Sequence, residues 1–258
     1  AVYHGPEGLR GIASRVQHMT LAVREGLRGL GYELGDGPVF DTLRVPLDDA
    51  AKAAVNSEAD KRRFNLRQYD DGVGISLDES CSDGEVAMLL EAFAAAAKKE
   101  TPELGALASS VSPGFDGGLA RASAYLEHEC FNSYHSEHEM LRYLHRLQAK
   151  DLSLTTSMIA LGSCTMKLNA SSEMLPITWP EFANMHPFAP ASQCKGYREM
   201  TSILENWLAE ITGLEAVSLM PNSGAQGEYA GLLAIRGYQE GRGQGHRDVC
   251  LIPVSAHG

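Results

Sequence analysis

Residues 216–228, AVSLMPNSGAQGE, decide how the chain is read. Val217 and Leu219 fall on alternate positions, as in a strand. Pro221 and Asn222 interrupt the run, and Ser223, Gly224, Ala225 and Gln226 open a helix expected to continue through Tyr238. The expected unit is therefore strand, turn, helix. The first amides of a helix have no partner within it and lie at the positive end of its dipole. An anionic phosphate suits such a turn, with the Ser223 hydroxyl as a further donor and Gly224 and Gly227 permitting close approach. An ordinary Asn/Gly turn capped by Asn222 or Ser223 accounts for the same residues equally well.

Working outward, Tyr197, Met200, Ile203, Leu204, Trp207, Leu208 and Ile211 form an amphipathic stripe that stops at Gly213, so a helix precedes the unit. DVCLIPVSAHG, 248–258, follows it as an apolar run expected to be a buried strand. Helix, strand, helix, strand is the rhythm of an α/β layered sheet, whose ligands gather beyond the carboxyl ends of the strands. Asn222 and Ser223 fall at one such end, Ser255 to His257 at the other. Upstream, residues 157–188 form a long stretch expected to be loop, carrying Gly162, Ser163, Cys164, Thr165, Lys167, Asn169, Trp179 and His186. Long loops inside compact domains are usually functional or disordered, and the aromatic content of this one argues for function.

The first hundred residues read differently. Leu9, Ile12, Val16, Met19, Val23, Leu27 and Leu30 are spaced by threes and fours, with Pro6 suited to a first turn and Gly31 to the position after the end, so 6–30 is expected to be a helix with one buried stripe. A strand over 38–45, a helix over 47–62, strands over 64–70 and 72–78 and a helix over 83–99 complete a small α+β unit. Residues 100–123, with Pro102, Pro113, Gly114, Gly117 and Gly118, are expected to be a linker. A helix then starts at the capping pair Ser136 and Glu139, with Met140, Leu141, Leu144 and Leu147 as its apolar stripe.

Composition narrows the function classes. A formal charge of −11 over 258 residues, with Lys61, Arg62 and Arg63 as the best basic cluster, argues against a nucleic-acid partner. Five separated cysteines without a CxxC pair point to a reducing compartment. No apolar run is long enough to span a membrane. His135 and His138 share a helical face, but no Cys or carboxylate set with ligand spacing accompanies them, so no metal site is expected. The chain starts without Met and stops at the end of an expected strand, which suggests an internal fragment of a longer polypeptide.

Three runs carry a family resemblance: HSEHEMLRYLHRLQAKDLSL (135–154) into LGSCTMKLN (161–169), ITWPEFANMHPF (177–188), and PNSGAQGEYAGLLAIR (221–236) into GHRDVCLIPVSAHG (245–258). With YHGPEGLRGIASR (3–15), they resemble the P-protein (glycine decarboxylase) family of the glycine cleavage system along nearly the whole chain. The resemblance implies a fold-type I pyridoxal-phosphate-dependent, transferase-like α/β architecture. Residues 1–118 would be the small C-terminal domain of a first half, and 119–258 the incomplete beginning of a second, catalytic half. It further implies that Ser223, Gly224, Ala225 and Gln226 hold the cofactor phosphate and that His257 lies against the pyridine ring as a catalytic residue. Ser163, Cys164, Thr165, Lys167 and Asn169 become candidates for substrate contacts. A reactive Cys164 requires surroundings that lower its pKa, and an inert thiol stands beside that reading.

The family's Schiff-base lysine lies in a His-Lys pair that this sequence does not contain, so the chain alone is expected to be inactive. Glycine, the lipoylated H-protein and a second copy in a homodimer are the implied partners. Bacterial cytoplasm or mitochondrial matrix is the implied compartment. Two other readings accommodate the residues: a non-catalytic interaction or dimer-forming piece, and another fold-type I enzyme such as an aminotransferase. The LGSCTMKLN and SGAQGEYAG runs weigh against the latter.

Overall fold

The computed structural model describes residues 1–151 and 170–256. The chain divides into two compact units, Ala1–Thr156 and Ser157–Gly258. The first contains helix α1 (Gly5–Gly29), strand β1 (Thr42–Pro46), α2 (Asp49–Lys61), β2 (Arg67–Tyr69), β3 (Gly72–Ser76), α3 (Asp83–Ala97), α4 (Leu104–Ser110) and α5 (Glu137–Gln148). The second contains two one-turn helices, α6 (Ser171–Met174) and α7 (Pro180–Ala183), and two long ones, α8 (Lys195–Thr212) and α9 (Gly224–Gly241).

The three strands form an antiparallel sheet in the order β1-β3-β2, with Leu43 opposite Ile75 and Val45 opposite Val73. Strand side chains alternate between faces. Leu43, Val45, Val73 and Ile75 are thereby turned into one core with Val23 and Leu27 of α1, Val55 of α2, and Val86, Leu90 and Phe93 of α3, all but fully buried. Arg44 and Ser76 stay on the solvent side. Gly72 is required at the turn into β3, because a Cβ there would lie 2.1 Å from the Val45 carbonyl oxygen. The helix starts are chemically marked. Asp48 accepts the Ala51 amide, and Ser82 and Glu85 form a reciprocal capping box at the head of α3. The α+β expectation for the first hundred residues holds, with β1 beginning later than the 38–45 reading.

Two expectations here are corrected. Residues 100–123 are not a featureless linker: Leu104–Ser110 is helical, capped by the Glu103 carboxylate, and packs on α1 with Leu107 beside Gly26. For the same reason α1 buries more than one stripe. Gln17, Thr20 and Ala22 are buried along with Val23 and Leu27, because α4 and the chain that follows it cover a second side of the helix. Periodicity identifies the face a helix offers to its sheet, but not a later segment that folds back over it. Conversely, the apolar stripe of α5 is exposed at Leu141, Leu144 and Leu147.

In the second unit the α/β expectation is not met among the described residues, where strands occur only in 42–76. Residues 216–220 and 248–256 are extended without pairing. A strand needs a neighbour to take its N–H and C=O groups, and no described segment lies alongside either run. Side chains of the second run are open, Val249 at 82% and Leu251 at 93% exposure, whereas Val217 and Leu219 in the first are half-buried. The described part of the expected 157–188 loop is a succession of single helical turns rather than irregular chain.

Truncating Phe93, which is fully buried and meets the Tyr32 ring edge-on at 5.3 Å, removes the centre of the first unit's core. Phe93→Ala is expected to cost about 3–5 kcal/mol, read as a lowered urea midpoint at unchanged slope. The carboxyls of Glu85, held by Ser82, of Glu58, held by Lys61 and Arg62, and of Asp71, held by Arg44, all lie below their ordinary range. Groups whose folded pKa is depressed contribute stability above the unfolded value, and that contribution is lost as pH falls through the folded one. The urea midpoint should therefore fall on acidification below about pH 4, and Glu85→Gln should flatten part of that dependence.

Candidate functional site

The site is built on the start of α9. Gly213, in the left-handed conformation at φ +71°, ends α8 as glycine does at a helix C-terminus. Pro221 and Asn222 then lead the chain into the next helix. Ser223 is extended, at φ −154° and ψ 165°, and is the N-cap: its Oγ accepts the Gln226 amide at 3.1 Å. The Gln226 carboxamide reaches back, Oε1 accepting the Asn222 amide at 2.6 Å. This is a capping box displaced by one residue, and the Ser-x-x-Gln spacing that signals it is visible in the sequence. The expected start of α9 holds, its end lies later than Tyr238, at Gly241, and Ser223 rather than Asn222 is the cap.

Ser223, Gly224, Ala225 and Gln226 are thus brought onto one turn, and all four are exposed. The first backbone bond of the helix runs from the Gly227 amide to the Ser223 carbonyl at 3.0 Å. The amides of Gly224 and Ala225 precede it and have no acceptor within the helix. The Ser223 oxygen uses a lone pair on Gln226, which leaves its proton for another acceptor. Two amides without an acceptor among the described residues, a hydroxyl and the positive end of an 18-residue helix form a donor set suited to a phosphate dianion. The ordinary capped turn and the anion-binding turn are the same object here, since the cap consumes the Gln226 amide and leaves the two before it.

His257, Ser163, Cys164, Thr165, Lys167 and Asn169 lie outside the described residues. At the head of α6 the Ala170 amide donates to the Glu173 carboxylate at 3.3 Å. Beyond it, Trp179, Phe182 and Tyr197 form an aromatic group, with the Tyr197 hydroxyl donating to the Phe182 carbonyl at 2.7 Å. The His186 Nδ1 accepts the Phe188 amide at 3.0 Å. In the first unit, His128 Nδ1 accepts the Cys130 amide, and His135 Nδ1 bonds to the Tyr3 carbonyl at 2.8 Å. These histidines shape the chain. Lys52 and Lys99 likewise bind backbone carbonyls, those of Tyr69 and Asp70 and that of Leu30.

With this geometry in hand, comparison with known proteins becomes decisive. Residues 1–93 match the family model described as glycine cleavage system P-protein. Over its whole length the chain is 54% identical to a glycine dehydrogenase (decarboxylating) of Nostoc punctiforme and 54% identical to one of Thermosynechococcus vestitus. These matches make the chain similar to the glycine cleavage system P-protein family. It spans about a quarter of the length of the curated relatives it matches, 27% and 26% respectively.

Removing the cap should loosen this turn first. Ser223→Ala is expected to cost the start of α9 about 0.5–2 kcal/mol, seen as faster hydrogen exchange at Gly227 and Glu228 with α8 unaffected.

Proposed function

We propose that the chain is a segment of a pyridoxal-phosphate-dependent glycine dehydrogenase that decarboxylates glycine and passes the aminomethyl group to the lipoyl arm of an H-protein. The observation that carries this reading is the 54% identity to glycine dehydrogenases (decarboxylating) over the full length of the chain. The open donor set at Ser223 supports it. Residues 1–118 serve in this reading as the small domain of a first half, and residues from 119 open a fold-type I second half. The relatives compared are cyanobacterial, which favours a bacterial cytoplasm. No described helix is long and apolar enough to cross a membrane.

Bound pyridoxal phosphate supplies an electron sink for the carbanion left when an amino acid loses its carboxylate. The protein's part is to hold and orient it. The Gly224 and Ala225 amides and the Ser223 hydroxyl hold the phosphate, and the helix dipole favours its charge without a lysine or arginine. By the family resemblance alone, His257 would serve the cofactor ring, and Ser163, Cys164, Thr165, Lys167 and Asn169 would serve the substrate. The Schiff-base lysine comes from the remainder of the polypeptide.

Ser223→Gly separates the two duties of this residue, since glycine caps a helix almost as well as serine but brings no hydroxyl. In the whole polypeptide, cofactor affinity is expected to fall roughly tenfold or more, as for a lost hydrogen bond to a charged group. Binding titrations followed by absorbance measure it. Unchanged affinity would remove the phosphate assignment.

A second reading, that the segment works by packing against other protein, has its own support. The α8 stripe is open to solvent, with Trp207 at 64% and Ile211 at 79% exposure, an apolar face of the kind that marks protein contacts. A homodimer of the whole polypeptide is compatible with both readings.

A further inference from the structure

Between α4 and α5 the chain returns along helix α1. Residues 112–126 have few ties of their own to the first unit. Among the described residues their backbone–backbone hydrogen bonds are local, Leu119 to Asp116 and Ala120 to Gly117. Most of the run is exposed.

It is held instead by side chains. Gln17, on α1 and only 5% exposed, binds both backbone groups of Gly114: its Oε1 accepts the Gly114 amide at 2.7 Å, and its Nε2 donates to the Gly114 carbonyl at 3.1 Å. The same Nε2 donates to the Val39 carbonyl at 3.1 Å. At the far end the Tyr125 hydroxyl donates to the Pro6 carbonyl at 2.7 Å. The next residue, Leu126, sits at φ +53°, a left-handed conformation that is strained for a residue with a Cβ. Its carbonyl is pinned by the Asn132 carboxamide at 3.0 Å.

We infer that residues 112–126 form a strap that lifts from α1 as a cooperative unit of its own, well below the free energy at which the core opens, with Gln17 as its latch and Leu126 as a strained hinge. Three features lead to this. The strap's attachment is a handful of side-chain bonds rather than a share of the apolar core. A buried carboxamide engaged on both edges is costly to leave unpartnered but readily rehydrated once the strap has lifted, so the bonds are made or lost together. The left-handed Leu126 is relaxed only when the strap is free. Segments with few buried apolar contacts open locally with less free energy than the core around them.

Native-state hydrogen exchange on the 258-residue chain tests the proposal. In the wild type, the hydrogen-bonded amides of Gly114, Leu119 and Ala120 should exchange together through one opening that leaves β3 and α3 protected. Gln17→Ala should speed Gly114 and its neighbours roughly ten- to a hundredfold, with β3 and α3 unchanged. Leu126→Gly, which removes the hinge strain, should slow exchange across the strap. Strap amides that exchange only together with β3 and α3 would overturn the proposal, as would a Gln17 variant that accelerates strap and core equally. If Gln17→Ala does not fold, an unchanged or faster strap in Leu126→Gly overturns it independently.

Discussion

A backbone amide or carbonyl withdrawn from water has to be given a partner, and this requirement shapes each part of the molecule. In the first unit the sheet meets it for Leu43 to Val45 and Val73 to Ile75, so their side chains can be committed to the core. Where no ladder is available a side chain takes over. Gln17 serves Gly114, Glu103 serves the head of α4, and the Ser82–Glu85 box serves α3. At α9 the requirement is met only in part. Ser223 and Gln226 close one turn and leave two amides facing solvent, and that incompleteness is what suits the turn to an anion.

The two units use apolar surface in opposite ways. In the first, α1, α2 and α3 converge on one face of the sheet, and the side chains at the centre are lost to solvent. In the second, α8 and α9 carry comparable apolar residues that remain open, as does the extended run at 248–256. Such surface is tolerated on a piece whose curated relatives are nearly four times as long. The turn proposed to hold a phosphate does not depend on that surface. Its donors come from the backbone of a single helix start, which local capping is enough to set.

Much of the first unit was legible from residue order. The threes and fours of Leu9 to Leu30, the alternation in 72–78 and the Ala-rich 83–99 run each state a local preference that the core then accepts. In the second unit Gly213 and Ser223 marked the end of α8 and the start of α9, because a left-handed stop and a hydroxyl cap act within a few residues. The alternating Val217 and Leu219 misled, since alternation describes what a strand's side chains need and says nothing about who will take its hydrogen bonds. The 100–123 stretch misled in the opposite sense: its prolines and glycines announce a break, while Glu103, Leu107 and Gly114 make it a docked segment.

Taken alone, the sequence determined which short stretches prefer helix, where those helices start and stop, and that Ser223 to Gln226 present a phosphate-compatible turn in a recognisable family context. Those are properties of neighbours a few residues apart. Tertiary structure alone decided that α1 is covered on a second side, that Gln17 is spent on Gly114 nearly a hundred residues away, and that 216–220 and 248–256 are unpaired. Each of these rests on a partner distant along the chain, and a residue's own identity does not encode the position of its partner.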